Sequence, residues 1–361
     1  MPVRRRYAFP LKHDKVSSSR GDSQRGRFMT VCVAALGSGG ATIVCVADKA
    51  LSYGDYIQWD SDSTKLVPLG TGDTVALVAG TELYITRFLG RIEKWDGFAG
   101  EREEIKRFLE DEFQKCLIEM QNVEVLLPHA LTRPEYVAAI SGGDINQHIE
   151  SVATKMAKFD FDCQLLVCGY DCDSKPYIFD VSPPGKVTDF TNTGFHAIGS
   201  GAEKAISRVL FSEHTRDHGV SQTLFDCFDA KANAEMAVGV GYAWDASFVT
   251  MRGSFTAHDG VKPLIEKVWS KFSRSPFAKR NKDDLPDPPT NWQSQLREFI
   301  QASFFQKSPD GWNNRQGFFH RDAFGSPLLQ PVTVCVLPES FEFLPVDRCE
   351  KYDSEDTLPK L

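Results

Sequence analysis

The chain has 361 residues, a net charge of −8 and ordinary contents of apolar (42%) and charged (25%) residues. No apolar run approaches the roughly 20 residues that a membrane-spanning helix needs, so we expect no membrane anchor. The acidic balance disfavours nucleic acid as the main partner, because phosphate binding requires a basic surface.

Residues 1–28 form a basic leader without apolar periodicity. They hold eight Lys/Arg and two Asp, a net +6, which leaves −14 for the remainder. The leader lacks the apolar core of a secretory signal, and its composition is typical of disorder. A nucleic-acid or membrane arm, a transit-like peptide and a removable pro-segment remain open alternatives. We expect a disordered segment that is removed, or one that is never translated because the chain starts at Met29.

The nine cysteines are scattered, and several lie in apolar runs that read as strands. An odd number in a long chain favours reduced, buried thiols and a cytoplasmic protein over a disulfide framework. Cys163, Cys168 and Cys172 lack the close CxxC pairs of a zinc site. We therefore predict neither a metal site nor a cofactor.

The first part of the chain predicts strands followed by helices. TVCVAAL (30–36) and ATIVCVA (41–47) are nearly continuous apolar, β-branched runs, typical of strands buried on both faces. GSGG between them predicts a hairpin turn, and Gly54-Asp55 predicts another. TKLVPL and DTVALVAG add strands, the second ending at Gly80. Apolar residues at helical spacing predict two helices after that, the first with Leu83, Phe88, Ile92 and Trp95 on one side. LPHALTRPE reads as a Pro-containing break, and INQHIESVATKMAKF as a third helix.

The second part repeats this order. DCQLLVCGYD, KPYIFDVSP and GKVTDF predict a strand meander, and GFHAIGSGAEKAISRVLFSE predicts a strand, a turn and a helix. SQTLFDCFDAKANAEMAVGV predicts a helix capped by Ser221, and SFVTMRG a strand. Strands, helices, strands and helices in this order favour an α+β fold, a four-layer αββα sandwich, over alternating βαβ units.

The composition changes from Val261 onward. KVWSKFSRSPFAKRNKDDLPDPPTNW is charged and Pro-rich, which predicts a linker or an exposed insertion. TNWQSQLREFIQASFF predicts a helix, PVTVCVLPES a late strand, and the acidic tail after Cys349 a loose end. We therefore expect a leader (1–28), a main domain (29–260) and a C-terminal extension (261–361) whose late strand can join the main domain.

The ordered motifs TVCVAA, IVCVADKA, TKLVPL and VALVAGTE resemble the opening of proteasome β-type subunits and their bacterial relatives. LLVCGYD, SPPG and AIGSG followed by a helix extend this resemblance over roughly residues 29–255. Residues 120–160 and 261–361 have no identified counterpart. The resemblance implies an N-terminal-nucleophile (Ntn) hydrolase that assembles as a homo-oligomer and cleaves peptide or amide bonds. Since the sequence holds no P-loop, an ATPase or unfoldase partner would be a separate chain.

The resemblance also implies roles for individual residues. Thr30 would be the nucleophile, with its own α-amine as general base, because a free α-amine titrates near neutral pH. Lys65 would stabilise the developing alkoxide, and Asp48 would orient Lys65. The Gly80 backbone N–H would donate to the oxyanion, and Ser200 would hydrogen-bond the terminal amine. By position, Val78 would face the substrate side-chain pocket, which indicates apolar or neutral substrate residues.

The chain departs from the family pattern in two places. The family's second Asp and its Ser fall in the region GVGYAWDAS, where Asp245 or Ser247 is the candidate substitute. Met29 stands where self-processed relatives have Gly, which favours exposure of Thr30 by initiator methionine removal. If residues 1–28 stay attached, the α-amine is in a peptide bond and the mechanism fails.

Other interpretations remain. Each candidate residue taken singly also fits a structural role, and only the ordered set favours catalysis. A non-catalytic subunit acting as a scaffold is the first alternative, and a small-molecule amidase of the same superfamily is the second. His196, His214 and His218 lack the pattern of a Ser-His-Asp triad or an HExxH motif, so we expect them to be structural.

Overall fold

The computed structural model describes residues 30–53, 57–60, 64–143, 146–237, 240–273, 289–303, 320–321 and 327–328. For residues 51–53, 57–60, 320–321 and 327–328 it describes the backbone alone. The predicted leader, the turn at Gly54-Asp55, the late strand PVTVCVLPES and the acidic tail lie outside the described residues.

Two antiparallel sheets of five strands each form the centre of the protein, with strand orders β10-β1-β2-β11-β12 and β5-β6-β7-β8-β9. Two short hairpins, β3-β4 and β13-β14, accompany them. The strands are β1 Cys32–Gly37, β2 Thr42–Asp48, β3 Ala50–Tyr53, β4 Ile57–Asp60, β5 Leu66–Leu69, β6 Thr74–Gly80, β7 Cys163–Tyr170, β8 Pro176–Ser182, β9 Lys186–Asp189, β10 Phe195–Ile198, β11 Trp244–Thr250, β12 Gly253–Thr256, β13 His320–Arg321 and β14 Pro327–Leu328.

The described residues also form eight α-helices. These are α1 Glu82–Ile92, α2 Arg102–Gln121, α3 Arg133–Gly142, α4 Gln147–Ala157, α5 Ala202–Phe211, α6 Val220–Ala234, α7 Val261–Phe272 and α8 Trp292–Ser303. None of these helices combines the length and the apolar content that crossing a bilayer requires.

Three apolar cores separate four layers. In β1, Val33 and Ala35 pack towards α5 and α6, whereas Cys32 and Leu36 pack towards the other sheet. This follows from the two-residue period of a strand, which sends successive side chains to opposite faces. The second sheet has its own outer core with α1 and α2. The predicted αββα sandwich of α+β class is therefore confirmed, and it explains why the first two strands are apolar throughout.

The GSGG segment joins β1 and β2 as predicted. The two strands pair antiparallel, with Cys32 opposite Ala47 and Gly37 opposite Thr42. Between them, Ser38–Gly40 forms a single short helical turn in which Gly39 has φ +70°. A left-handed backbone of this kind is one that glycine adopts at no steric cost.

Three local predictions were wrong. The Pro-containing break contains the start of α3, because Thr132 and Glu135 form a capping box that stabilises the first turn. Leu83 is 49% exposed, because the buried side of α1 consists of Tyr84, Phe88 and Ile92. The cap of α6 is Gly219, without a side-chain hydrogen bond, and Ser221 lies inside the first turn.

The predicted linker or exposed insertion starts at Lys267, but residues 267–272 form the end of α7, which spans Val261–Phe272. Val261, Leu264, Ile265 and Val268 recur at helical spacing and are buried in the outer core of the first sheet. The prediction relied on the charged composition of this segment and overlooked the helical spacing of its apolar residues. The predicted helix α8 packs into the same core through Leu296 and Ile300. The division of the chain into domains stays a prediction.

Candidate active site

Thr30 lies two residues before the start of β1 and is 2% exposed. Its carbonyl accepts a hydrogen bond from the Gly201 N–H at 3.1 Å. Its backbone N–H donates to the Ser200 hydroxyl oxygen at 3.2 Å. The turn between β10 and α5, which carries both residues, therefore fixes the backbone of Thr30 from one side.

Asp48 ends β2 and comes next to Thr30 through the β1-β2 pairing. Its side chain is fully buried and accepts three backbone N–H groups, from Val31 at 2.9 Å and from Ala50 and Gly241 at 3.1 Å each. A carboxylate held by several backbone donors is stabilised in its charged form and fixed in orientation. The remaining acceptor capacity of Oδ1 is directed at the side chains of Thr30 and Lys65.

Lys65 comes from the other sheet, just before β5. Its ammonium lies 2.9 Å from Asp48 Oδ1 and donates to the Thr30 hydroxyl oxygen, which itself donates to Asp48. The lysine side chain is only 11% exposed. A cation beside the hydroxyl oxygen stabilises negative charge that develops on that oxygen. Three residues that are far apart in the sequence thus form one polar cluster at the junction of the two sheets.

Gly80 lies at the end of β6, opposite Cys163. Its φ is +119°, and a Cβ there would come 2.3 Å from the backbone oxygen of Asp162. The close approach of a neighbouring backbone therefore requires glycine, whatever the role of the Gly80 N–H.

Val78 connects to the cluster through its backbone. Its N–H donates to the Lys65 carbonyl at 3.1 Å, and its carbonyl accepts the Cys32 thiol at 3.4 Å. Its side chain packs in the core between the second sheet and α1 and α2, and 8% of the residue is exposed. That packing leaves the side chain little surface for a substrate.

Asp245 and Ser247 are not brought to Thr30. Both lie on β11, which pairs with β2 on the side opposite β1. Asp245 binds Lys262 at 2.5 Å and Lys49 at 3.7 Å, and the Ser247 hydroxyl donates to the Phe255 carbonyl at 3.0 Å. The expectation that one of them supports the Thr30 amine therefore disagrees with the strand order.

The loop before β11 reaches the site instead, and sequence reasoning missed it. Gly241 donates its N–H to Asp48, and the neighbouring Tyr242 carbonyl accepts the Lys231 ammonium at 2.6 Å. Lys231 is fully buried and also binds Glu235 at 2.6 Å. Burial raises the pKa of the Glu235 carboxyl, Lys231 opposes this rise, and the charge of Asp48 adds to it. The i,i+4 spacing of Lys231 and Glu235 was the available signal, but such pairs usually lie on solvated helix faces.

Cys32 is the other reactive group beside the cluster. Burial raises the pKa of its thiol to about 12. Because the thiolate is the reactive form of cysteine, this raised pKa disfavours Cys32 as a nucleophile in place of the Thr30 hydroxyl.

The three histidines contact other groups. His196 stacks on Phe190, with ring centroids 3.5 Å apart. His214 and His218 both contact Asp226, at 2.9 and 3.0 Å. The HxxxH spacing of His214 and His218 is visible in the sequence. It does not indicate a contact with Asp226 on α6 until the path of the α5-α6 connection is known.

Residues 144–223 match the family model described as proteasome subunit. The resemblance to proteasome subunits is confirmed. The matched segment of this proteasome-like chain contains Ser200, whereas Thr30, Asp48, Lys65 and Gly80 precede it.

Among solved structures, the chain is similar to the crystal structure of eukaryotic HslV from Trypanosoma brucei. The two share 16% sequence identity, the alignment covers 61% of this chain and 99% of that chain, and the TM-score is 0.36. A likeness of this degree carries no argument about function. No curated protein matches the chain.

Proposed function

We propose that this chain is a proteasome-like, threonine-type Ntn hydrolase that cleaves peptide or amide bonds. The observation that carries the proposal is the contact of the Thr30 hydroxyl with the Lys65 ammonium and the Asp48 carboxylate. The hydroxyl is held between a cation and an anion in a nearly buried position, an arrangement that suits a nucleophile. The family match adds independent support from a different part of the chain.

In the proposed reaction, the Thr30 oxygen attacks the carbonyl carbon of the scissile bond. The hydroxyl proton passes to the α-amine of Thr30, which titrates at about 7.7–8.0 when free. The Lys65 ammonium stabilises the alkoxide, and the Gly80 N–H donates to the oxyanion. The proton then passes to the leaving amine as the C–N bond breaks, leaving an ester on Thr30 that water hydrolyses. Ser200, whose oxygen lies 3.2 Å from the Thr30 nitrogen, holds the amine in position.

The proposal requires Thr30 to be the first residue of the mature protein. We propose that translation from Met29 followed by methionine removal produces that amine. The mass of the purified native protein tests this directly. A chain that starts at Thr30 is the expected result, and a chain that retains Met29 or the leader excludes an α-amine base.

Substitution of the nucleophile tests the activity. Thr30→Ala should abolish hydrolysis of a fluorogenic peptide or amide panel, while Thr30→Ser should retain part of it because it keeps the hydroxyl. Thr71→Ala is the matched control, since Thr71 is exposed and its hydroxyl binds only Asp73 among the described residues. Turnover by Thr30→Ala equal to that of the wild type would refute the assignment. A panel of peptides and small amides also separates a peptidase from a small-molecule amidase.

A non-catalytic subunit is the second candidate. It is favoured by one observation, that the Thr30 nitrogen is a peptide nitrogen as long as Met29 precedes it. In that case the same polar cluster serves as an ion-pair network between the two sheets. A mass that retains the leader, together with equal behaviour of Thr30→Ala and wild type, selects this candidate.

We also propose assembly as a homo-oligomer, with any ATPase partner supplied as a separate chain. Native mass spectrometry of the purified protein tests the first part. A monomer at micromolar concentration would contradict it.

A further inference from the structure

A second polar cluster lies away from Thr30, at the other end of β1. His214 and His218 stand in the connection between α5 and α6, and Asp226 stands on α6. The His214 Nδ1 and the His218 Nδ1 lie 2.9 and 3.0 Å from the same oxygen, Asp226 Oδ2. All three ligand atoms lie within 4.8 Å of one another. The Leu36 carbonyl, which contacts the His214 ring, is six residues from Thr30, or about 20 Å along an extended strand.

Both ring nitrogens of His214 face oxygen atoms that accept hydrogen bonds. The His214 Nε2 lies 3.0 Å from the Leu36 carbonyl oxygen, which can only accept, so Nε2 carries the hydrogen. In the neutral ring, Nδ1 then presents a lone pair directly to Asp226 Oδ2, which is also an acceptor. These two lone pairs attract each other only if a cation lies between them, either a second ring proton or a metal ion.

The groups behind the cluster have the arrangement that metal sites use. A histidine ligand usually donates its other ring N–H to a backbone carbonyl or a carboxylate, as His214 does to Leu36. A ligating carboxylate is usually hydrogen-bonded in turn, as Asp226 Oδ1 is by the Gln222 amide at 2.8 Å. The side chains of His214 and Asp226 are 1% and 2% exposed, so both are fixed by packing.

We propose that His214, His218 and Asp226 bind a divalent transition metal of the Zn²⁺ type. Two imidazole nitrogens and a carboxylate oxygen are a donor set that suits Zn²⁺. Ligand atoms of a tetrahedral zinc ion are about 3.3 Å apart for bonds of about 2.0 Å. The two nitrogen–oxygen distances, 2.9 and 3.0 Å, need to lengthen by a few tenths of an ångström, and the nitrogen–nitrogen distance, at most 4.8 Å, needs to reach the same value. The His218 side chain is 29% exposed, which leaves the fourth position open to water.

The ion would hold the α5-α6 connection against the β1-β2 turn. Two backbone bonds already join these segments, from Ser38 N–H to the His218 carbonyl at 2.7 Å and from Gly39 N–H to the Arg216 carbonyl at 2.8 Å. The ion would therefore have a structural role, because it links two loops away from Thr30. The proposal does not depend on whether Thr30 is a nucleophile. It also differs from the expectation from sequence that the chain holds no metal.

Zn²⁺ titration of the chelator-treated full-length protein tests the proposal. By calorimetry, the wild type should bind one Zn²⁺ per chain, and the melting temperature should rise with Zn²⁺ concentration. Asp226→Asn and His218→Ala should each weaken Zn²⁺ binding at least tenfold. Gln222→Leu, which removes only the group behind Asp226, should weaken it about 10- to 100-fold, as loss of outer-shell partners does.

His148→Ala is the matched control. His148 is exposed, and its ring centroid lies 5.2 Å from that of the half-buried His129, so this pair is the alternative position that the control removes. The control should bind Zn²⁺ as the wild type does. Loss of binding in His148→Ala alone, or wild-type binding by both ligand variants, overturns the proposal.

A spectroscopic measurement needs no variant and so does not depend on variant folding. Co²⁺ added to the wild type should give the visible absorption of a four-coordinate site, and one equivalent of Zn²⁺ should abolish it. Absence of binding overturns the proposal. So does a nitrogen NMR spectrum showing both His214 ring nitrogens protonated in excess Zn²⁺, because the proton would then occupy the place of the metal.

Discussion

At the residue scale, Asp48 is the most constrained group in the candidate active site. Oδ1 accepts from the Val31 N–H and from the Lys65 ammonium, both at 2.9 Å, and from the Thr30 hydroxyl. Oδ2 accepts from the Ala50 and Gly241 N–H groups, at 3.1 Å each. Both oxygens therefore face donors only. Only a carboxylate satisfies these donors, because the amide of asparagine, which has the same shape, would place an NH₂ group against one set of them.

Asp48→Asn should therefore be both destabilising and inactive. Whichever way the amide turns, its NH₂ group faces another donor, which leaves buried polar groups unpaired and should cost about 3 kcal/mol in the free energy of unfolding. Urea denaturation measures the loss. Asp173→Asn is the control, because that side chain is 67% exposed and should change stability by no more than about 0.5 kcal/mol. Equal stability of Asp48→Asn and wild type would contradict the assigned donors.

At the element scale, the turns that meet Thr30 matter as much as the strands. Gly199, between β10 and α5, has φ +89°, and a Cβ there would come 2.4 Å from the Thr30 carbonyl oxygen. Gly90 in α1 contrasts with it, since a Cβ at that position meets nothing within 4 Å. The same residue type thus has a structural requirement in one element and none in the other.

Alanine at these two glycines should have opposite effects. Gly199→Ala should lose about 2 kcal/mol or more of stability, because a left-handed backbone and a backbone clash coincide there. Gly90→Ala should gain about 0.5–1 kcal/mol, because alanine restricts the unfolded chain and fits a helix interior. Thermal or urea unfolding of the two variants side by side checks both signs. A neutral Gly199→Ala would show that the turn next to Thr30 can move.

The helix α7 shows how a polar composition can conceal a core element. Trp269 is 7% exposed, donates its indole N–H to Asp229 Oδ1 at 2.6 Å and packs edge-on against Phe228. Through these contacts α7 is joined to α6, which itself packs on the first sheet. The element therefore contributes to the same core as residues before position 260.

Trp269→Ala should destabilise the whole protein by about 3–5 kcal/mol, the range for a buried aromatic side chain. Phe272→Ala on the same helix is the control, because Phe272 is 52% exposed and should cost less than about 1 kcal/mol. Two-state urea unfolding, followed by far-UV circular dichroism, measures both. If Trp269→Ala instead shows a separate early unfolding transition and the main transition is unchanged, α7 unfolds independently of the rest of the protein.

At the scale of the whole molecule, the apolar cores bury most of the described cysteine thiols. Six of the seven described cysteines are buried, and Cys172 is exposed. Burial raises the pKa of the Cys32 thiol to about 12 and that of the Cys116 thiol to about 11. Burial also raises the pKa values of the Cys163 and Cys227 thiols. Both accessibility and thiolate content therefore disfavour reaction in the folded protein.

Iodoacetamide at neutral pH should consequently alkylate Cys172 before the other six described cysteines. Peptide mapping by mass spectrometry, which reports each site separately, is the measurement. Alkylation of the six should appear only when urea unfolds the chain. Modification of the Cys116 peptide at the rate of the Cys172 peptide would mean that the core beneath α2 opens under native conditions.

The local residue patterns predicted most of the order of strands and helices, and this order predicted the αββα sandwich. Strands buried on both faces must be apolar throughout, and amphipathic helices must repeat every three to four residues, so both patterns are local. The sequence also singled out Thr30, Asp48 and Lys65, because their motifs occur in a recognisable order. Their catalytic roles stay proposals.

Which polar groups meet could be seen in the folded protein alone. Asp245 pairs with Ala47, the residue before Asp48 on β2, yet its carboxylate binds Lys49 and Lys262. The Gly241 N–H on Asp48 and the meeting of His214 with Asp226 depend on loop paths that no local pattern encodes. Strand order and loop closure are set by long-range packing, and hydrogen bonds form only where that packing brings donor and acceptor within about 3 Å.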